Sequence, residues 1–152
     1  ALMGIDAGYK DPTAVVKLYY SFDEKVFYLV DEYLEAQRNT DQHAEHIRKM
    51  MGDDTDFVFC DSAAAQFRQD LAELHDIPSN PSIKSVLDGI AYVQSLVDNG
   101  KLIVDKSCIH TLDMLANYRW DPRPELLKPK PVHDAFSHIA DALRYALYSF
   151  TV

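Results

Sequence analysis

An α/β fold in one domain, with a mixed sheet of three antiparallel strands plus parallel strands and helices packed on it, is what this 152-residue chain predicts. Three observations predict it. Residues 2–34 hold three stretches rich in Val, Ile, Leu, Tyr and Phe, broken by short polar links. Beyond them, short apolar runs alternate with segments of helical spacing, the pattern of parallel strands joined by helices. The length supports one core of ordinary size but not two.

Leu2 to Asp6 reads as a short apolar strand ending at Ala7-Gly8. Thr13–Tyr20 and Val26–Leu34, linked by Ser21-Phe22-Asp23-Glu24-Lys25, read as a hairpin beside it. Asn39, Thr40 or Asp41 caps a helix through Ala44, Ile47, Met50 and Met51. Phe57-Val58-Phe59-Cys60 is continuously apolar, as in a strand covered on both faces. It stops at Asp61, and Ser62 is the expected cap of a helix built on Phe67, Leu71 and Leu74. A further helix carries Val86, Ile90, Val93 and Val97 and ends at Asn99-Gly100. Leu102-Ile103-Val104 follows as a strand, and Leu112, Leu115 and Ala116 mark another helix. Four of the seven prolines fall in residues 121–131, a predicted loop before a last helix from about Asp134 to Phe150.

Composition removes several classes of function. No run approaches a membrane span and no signal peptide opens the chain. Neither GxxxxGK[ST] nor GxGxxG occurs. With 15 Lys and Arg against 24 Asp and Glu, the net charge of −9 argues against binding nucleic acid by bulk attraction, while leaving contact through metal ions open. Cys60 and Cys108 lack metal-type spacing and read as reduced thiols, Cys60 as an inert core residue.

Three carboxylates carry the chemistry. Asp6 and Asp61 each end an apolar strand, and if those strands are neighbours both emerge at one end of the sheet. A carboxylate closing such a run needs a partner, because desolvation is costly, and a divalent cation is one such partner. On the last helix Asp134, His138 and Asp141 fall within about 60° of one another, with Tyr145 and Tyr148 nearby. Phe136, Ile139, Leu143, Leu147 and Phe150 occupy the opposite arc, so the helix alone predicts a solvated acidic face. Taken together, the oxygen-rich groups suit Mg²⁺ or Mn²⁺, and a pair of ions bridged by carboxylates is a framework for hydrolysing phosphodiesters. Asp6, on a rigid strand, is the natural bridging ligand.

Gly4-Ile5-Asp6-Ala7-Gly8-Tyr9-Lys10-Asp11-Pro12-Thr13-Ala14 resembles the opening motif of the nuclease domain of tailed-bacteriophage large terminase subunits. Asp61-Ser62-Ala63 resembles that family's second acidic motif, and His138-Ile139-Ala140-Asp141-Ala142-Leu143-Arg144-Tyr145-Ala146-Leu147 its closing motif. Val86–Ile90 and Asn117–Asp121 fit intervening segments, so the resemblance spans almost the whole chain. It implies a ribonuclease H-like fold and an endonuclease cutting concatemeric double-stranded viral DNA with two Mg²⁺ or Mn²⁺ ions. Asp6, Asp61 and Asp141 would be the metal ligands, and His138 a further ligand or acid–base group. It also implies a chain that is one nuclease domain over residues 1–152, separate from an ATPase motor. Its partners would be the portal and the small terminase subunit, at the viral procapsid in the host-cell cytoplasm.

Other residues carry alternatives. Asp134 either caps the last helix or joins the metal ligands. His138 is either an active-site group or a supporting or surface one. Asp11-Pro12 reads as a turn start, and His43, Glu45 and His46 as a solvated helix face. His75, His110 and His133 form no pattern. Arg119, Arg123, Lys128 and Lys130 make a basic stretch where a DNA backbone would lie, or an ordinary exposed loop. Five glycines are too few for an actin-like or sugar-kinase-like ATPase, the other fold opened by Gly-Ile-Asp-Ala-Gly. A non-catalytic module docking on portal or small subunit is the competing reading.

Overall fold

A computed structural model describes residues 1–8, 11–83, 85–117 and 136–151. Asp134, His133, Tyr9, the Pro-rich loop and the basic residues Arg119, Arg123, Lys128 and Lys130 lie outside the described residues. The elements run β1 (Leu2–Asp6), β2 (Thr13–Ser21), β3 (Val26–Glu35), α1 (Thr40–Met51), β4 (Phe57–Cys60) and α2 (Ala65–His75). They continue through β5 (Asn80–Pro81), α3 (Val86–Asp98), β6 (Leu102–Val104), α4 (Ile109–Asn117) and α5 (Ser137–Thr151). The sheet order is β5-β4-β1-β2-β3-β6. The pairs β1/β2 and β2/β3 are antiparallel, while β1/β4, β4/β5 and β3/β6 are parallel. The expected mixed sheet is present. Parallel pairing occurs at both edges, because β6 returns to the far side of β3.

Period-two alternation sorts the strands between two cores. Leu2, Ala14, Val16, Leu18, Phe27 and Leu29 face one way, against Ile139, Ala142, Leu143, Ala146 and Leu147 of α5. Met3, Ile5, Val15, Val58 and Cys60 face the other, against Ala44, Ile47 and Met50 of α1 and Leu71 of α2. The β2/β3 register shifts between Lys17 and Leu18, whose partners are Asp31 and Leu29, so Val30 is the extra residue. Such a bulge reverses the parity beyond it. Phe27 and Leu29 therefore face α5, while Tyr33 joins the α1 core. Glu32, turned to the α5 side with its partner Val16, accepts hydrogen bonds from His110 N, Thr111 N and Thr111 Oγ1, each 2.8 Å, at the start of α4.

Four local expectations are corrected. Ser62 does not cap α2: a turn closes first, with Ala64 N donating to the Asp61 carbonyl, and the helix starts after an Ala64 that offers no side-chain cap. The polar arc of α5 is not solvated, for His138 and Tyr145 are buried there along with the apolar arc. His43 is no surface residue: it is buried with its Nδ1 2.8 Å from the Tyr33 hydroxyl, and His46 stacks on the same ring. His75 has a role after all, its Nε2 lying 2.7 Å from Asp41 and tying α2 to α1.

Candidate functional site

α5 crosses β1 at Gly4. A Cβ there would sit 2.1 Å from the Ala142 carbonyl oxygen and 2.9 Å from Ala146 Cβ, so only glycine admits this approach. Two residues on, Asp6 points to the same face, opposite Ala14. One helical turn before Ala142, His138 meets it: Nδ1 lies 3.0 Å from Asp6 Oδ2. Asp61 follows β4, which pairs in register with β1 up to Ile5–Cys60, and its N–H donates to the Ile5 carbonyl. The two strand-end aspartates thus emerge side by side, as expected from adjacent strands.

Electrostatics binds these groups to Asp141. Burial raises the Asp6 carboxyl to about 7; the hydrogen bond from His138 pulls it down, and the charges of Asp141 and Asp61 push it up. Burial raises the Tyr145 hydroxyl too, and Asp6, Asp141 and Asp61 each add to that rise. The charges of Asp61 and Asp141 are thus felt at Asp6, and those of all three carboxylates at the Tyr145 hydroxyl. Asp61 Oδ1 also accepts from Ala63 N at 2.9 Å. Asp141 Oδ1 accepts from Arg144 Nη2 at 3.3 Å.

Arg144 carries part of this construction and was not singled out among the site residues. It is 5% exposed, its stem passes under Gly89, where a Cβ would lie 2.7 Å from its Cδ, and its guanidinium sits 4.8 Å from the Tyr145 ring centroid. A cation amid the apolar residues of the closing motif was the available signal. Cys60 is buried and its thiol is pushed up to about 12 by burial, which makes it inert.

By the chemistry of its donors the set suits a hard divalent cation: it is oxygen-rich, and Asp6, whose ionisation is resisted first by burial and then by the charges of Asp141 and Asp61, lies buried within it. Among the described residues, no group of three or more His, Cys, Asp and Glu side chains is placed so that it could hold a metal ion.

No family model matches the chain. The large terminase subunit of Escherichia phage T5 is 49% identical to it over 154 aligned residues, which span 99% of this chain. By sequence the chain is similar to part of a large terminase subunit, and by fold to large terminase nuclease domains. It spans 35% of the T5 terminase, about a third of that protein's length. The large terminase of the thermophilic bacteriophage D6E superposes with a TM-score of 0.85 at 25% identity, over 99% of this chain and 38% of that one. The nuclease domain of the bacteriophage SPP1 large terminase, solved with bound Mn, superposes with a TM-score of 0.75 at 22% identity, over 96% of this chain and 84% of the domain. These TM-scores show that the terminase structures share the fold of this chain, with its three antiparallel strands and the parallel ones beside them.

Proposed function

We propose that this chain is a divalent-metal-dependent endonuclease domain that cuts concatemeric double-stranded DNA while a phage genome is packaged. The observation that carries the reading is the state of Asp6: a carboxyl at a strand end, raised to about 7 by burial and by Asp141 and Asp61, and bonded to His138. A divalent cation is a partner that would hold such a group ionised. The manganese in the SPP1 domain, which shares the fold, supports the same reading.

In it, Asp6, Asp61 and Asp141 hold two Mg²⁺ or Mn²⁺ ions, with His138 as a further ligand or acid–base group. When bound, such ions lower the pKa of an attacking water and neutralise charge on the departing oxygen. The chain's own residues prepare the place. β1 fixes Asp6 in a buried position, His138 Nδ1 fixes the orientation of Asp6 Oδ2, and Arg144 steadies Asp141. The basic stretch Arg119, Arg123, Lys128 and Lys130 contacts the DNA backbone, and Asp134 serves as a cap or an outlying ligand. The domain works as one part of a longer terminase whose ATPase motor, portal and small-subunit contacts lie elsewhere, at the procapsid in the host cytoplasm.

Plasmid nicking tests this. With Mg²⁺ or Mn²⁺ the wild type nicks supercoiled DNA, and Asp6→Asn, Asp61→Asn and Asp141→Asn each lose about 10³-fold or more in rate while remaining folded. Nicking retained by all three variants, or absent from the wild type with either ion, refutes it. Replacing both Lys128 and Lys130 with Ala weakens nicking at unchanged melting temperature, and an unaltered rate removes that stretch from the mechanism.

A further inference from the structure

Tyr145 stands beside the carboxylates and has no task in the endonuclease reading. It lies one helical turn past Asp141 on α5, so the two share a face of that helix. The residue is 5% exposed, and the Arg144 guanidinium sits 4.8 Å from its ring centroid. α5 packs on β1 and β4, the strand that ends in Asp6 and the strand that leads into Asp61. The Tyr145 hydroxyl accordingly feels the charges of Asp6, Asp141 and Asp61 together.

A buried phenol usually spends its hydroxyl on a protein partner, as Tyr33 does on His43 Nδ1 at 2.8 Å. Among the described residues no hydrogen bond reaches the hydroxyl of Tyr145. The occluded polar atoms that lack a partner there are His43 Nε2, Ser82 Oγ, and Nε and Nη1 of Arg144. The Tyr145 oxygen is not one of them, so it keeps an open face. Burial and the three negative charges raise its hydroxyl above the ordinary 10.0, which keeps the proton on at working pH and makes the group a donor rather than a base. A donor has little to offer a cation. It suits an anionic oxygen that arrives with the cations, and being neutral it does not compete with them for the aspartates.

We propose that the Tyr145 hydroxyl donates a hydrogen bond to a non-bridging oxygen of the scissile phosphodiester, as a fixed neutral donor beside the metal ligands. The inference rests on the endonuclease reading and adds a substrate-contacting residue to it. Arg144, set against the ring and bonded to Asp141, couples the position of this donor to that of a ligand. In a chain of net charge −9, contact with a phosphate is made by such local donors rather than by overall charge.

Tyr145→Phe in the 152-residue chain tests it, because it removes the oxygen and leaves the ring against Arg144. Anisotropy of a labelled duplex with Ca²⁺ reads binding, calorimetry reads Mn²⁺ uptake, and plasmid nicking reads kcat and KM. The variant should keep the wild-type melting temperature or exceed it, and take up Mn²⁺ as the wild type does. It should bind duplex about tenfold more weakly and nick with a kcat about 10²-fold lower. A lower kcat at unaltered duplex binding also supports the contact, as one made in the transition state. A lowered melting temperature or weakened Mn²⁺ uptake overturns it, since the oxygen then serves the fold or the ions. Unaltered duplex binding overturns it too when nicking is equal in both proteins, which leaves the endonuclease reading standing, or absent from both. A wild type that binds duplex with this sensitivity yet never nicks overturns the endonuclease reading and keeps the phosphate contact, and one that neither binds nor nicks overturns both.

Discussion

Asp6 sits where its own charge is least welcome, and that has a thermodynamic consequence. Its folded pKa of about 7 lies above the ordinary 3.8, so the folded state holds this proton more tightly than the unfolded chain does. In EDTA the group's contribution is greatest below about pH 4 and is lost as pH rises towards about 7. Asp6→Asn should therefore raise the metal-free melting temperature at pH 8 by a few degrees, about 1 kcal/mol or more, and flatten the decline seen in the wild type between pH 5 and 8. A lower melting temperature for the variant at pH 8 contradicts this. Asp54 shows the opposite sign. Lys17, at 2.8 Å, and then the Tyr19 hydroxyl hold it down to about 2. Its contribution is present above about pH 4 and disappears as pH falls through about 2. Acid melts of Asp54→Asn should lack that portion of the wild-type loss, whereas superimposable acid limbs would discount the pairing.

At the scale of elements, the close crossing of α5 over β1 is what brings His138 to Asp6. Gly4→Ala forces a Cβ onto the Ala142 carbonyl and should cost about 3 kcal/mol or more, read as a lowered denaturant midpoint, with nicking lost even where the fold survives. A midpoint equal to the wild type shows that the helix can shift freely. Glu32→Ala leaves the first N–H groups of α4 without their acceptor and should cost about 1–2 kcal/mol by the same assay. An unchanged midpoint shows that water replaces the carboxylate. Most elements were legible in the residues, because β1 to β4 carry continuous or alternating apolar runs and the helices carry apolar stripes. β5 is two residues, Asn80–Pro81, too short for any period. The bulge at Val30 left no mark in composition, yet it alone decides that Tyr33 and Glu32 face opposite ways from their counted parity. The polar arc of α5 was misread because a helical wheel shows which residues share a face, not whether water or a sheet end lies opposite.

For the whole molecule, the endonuclease reading has to reconcile acidity with a DNA substrate. On that reading, at a net charge of −9, attraction to DNA comes from a few local donors and from bound cations, so nicking should fall steeply between about 50 and 200 mM salt. A rate independent of salt over that range speaks against phosphate contacts. Asp6 and Asp61 stand out in the sequence because charges that end apolar strands are anomalies in one dimension. Arg144 and His43 do not, since their meaning depends on burial beneath Gly89 and behind Tyr33. No helix among the described residues is long and apolar enough to cross a membrane. Calorimetric titration of Mn²⁺ into the chain tests the proposed metal centre most directly. Saturable uptake of two ions, abolished in Asp6→Asn, is the expected result; a flat wild-type titration, or one that Asp6→Asn leaves unchanged, contradicts it.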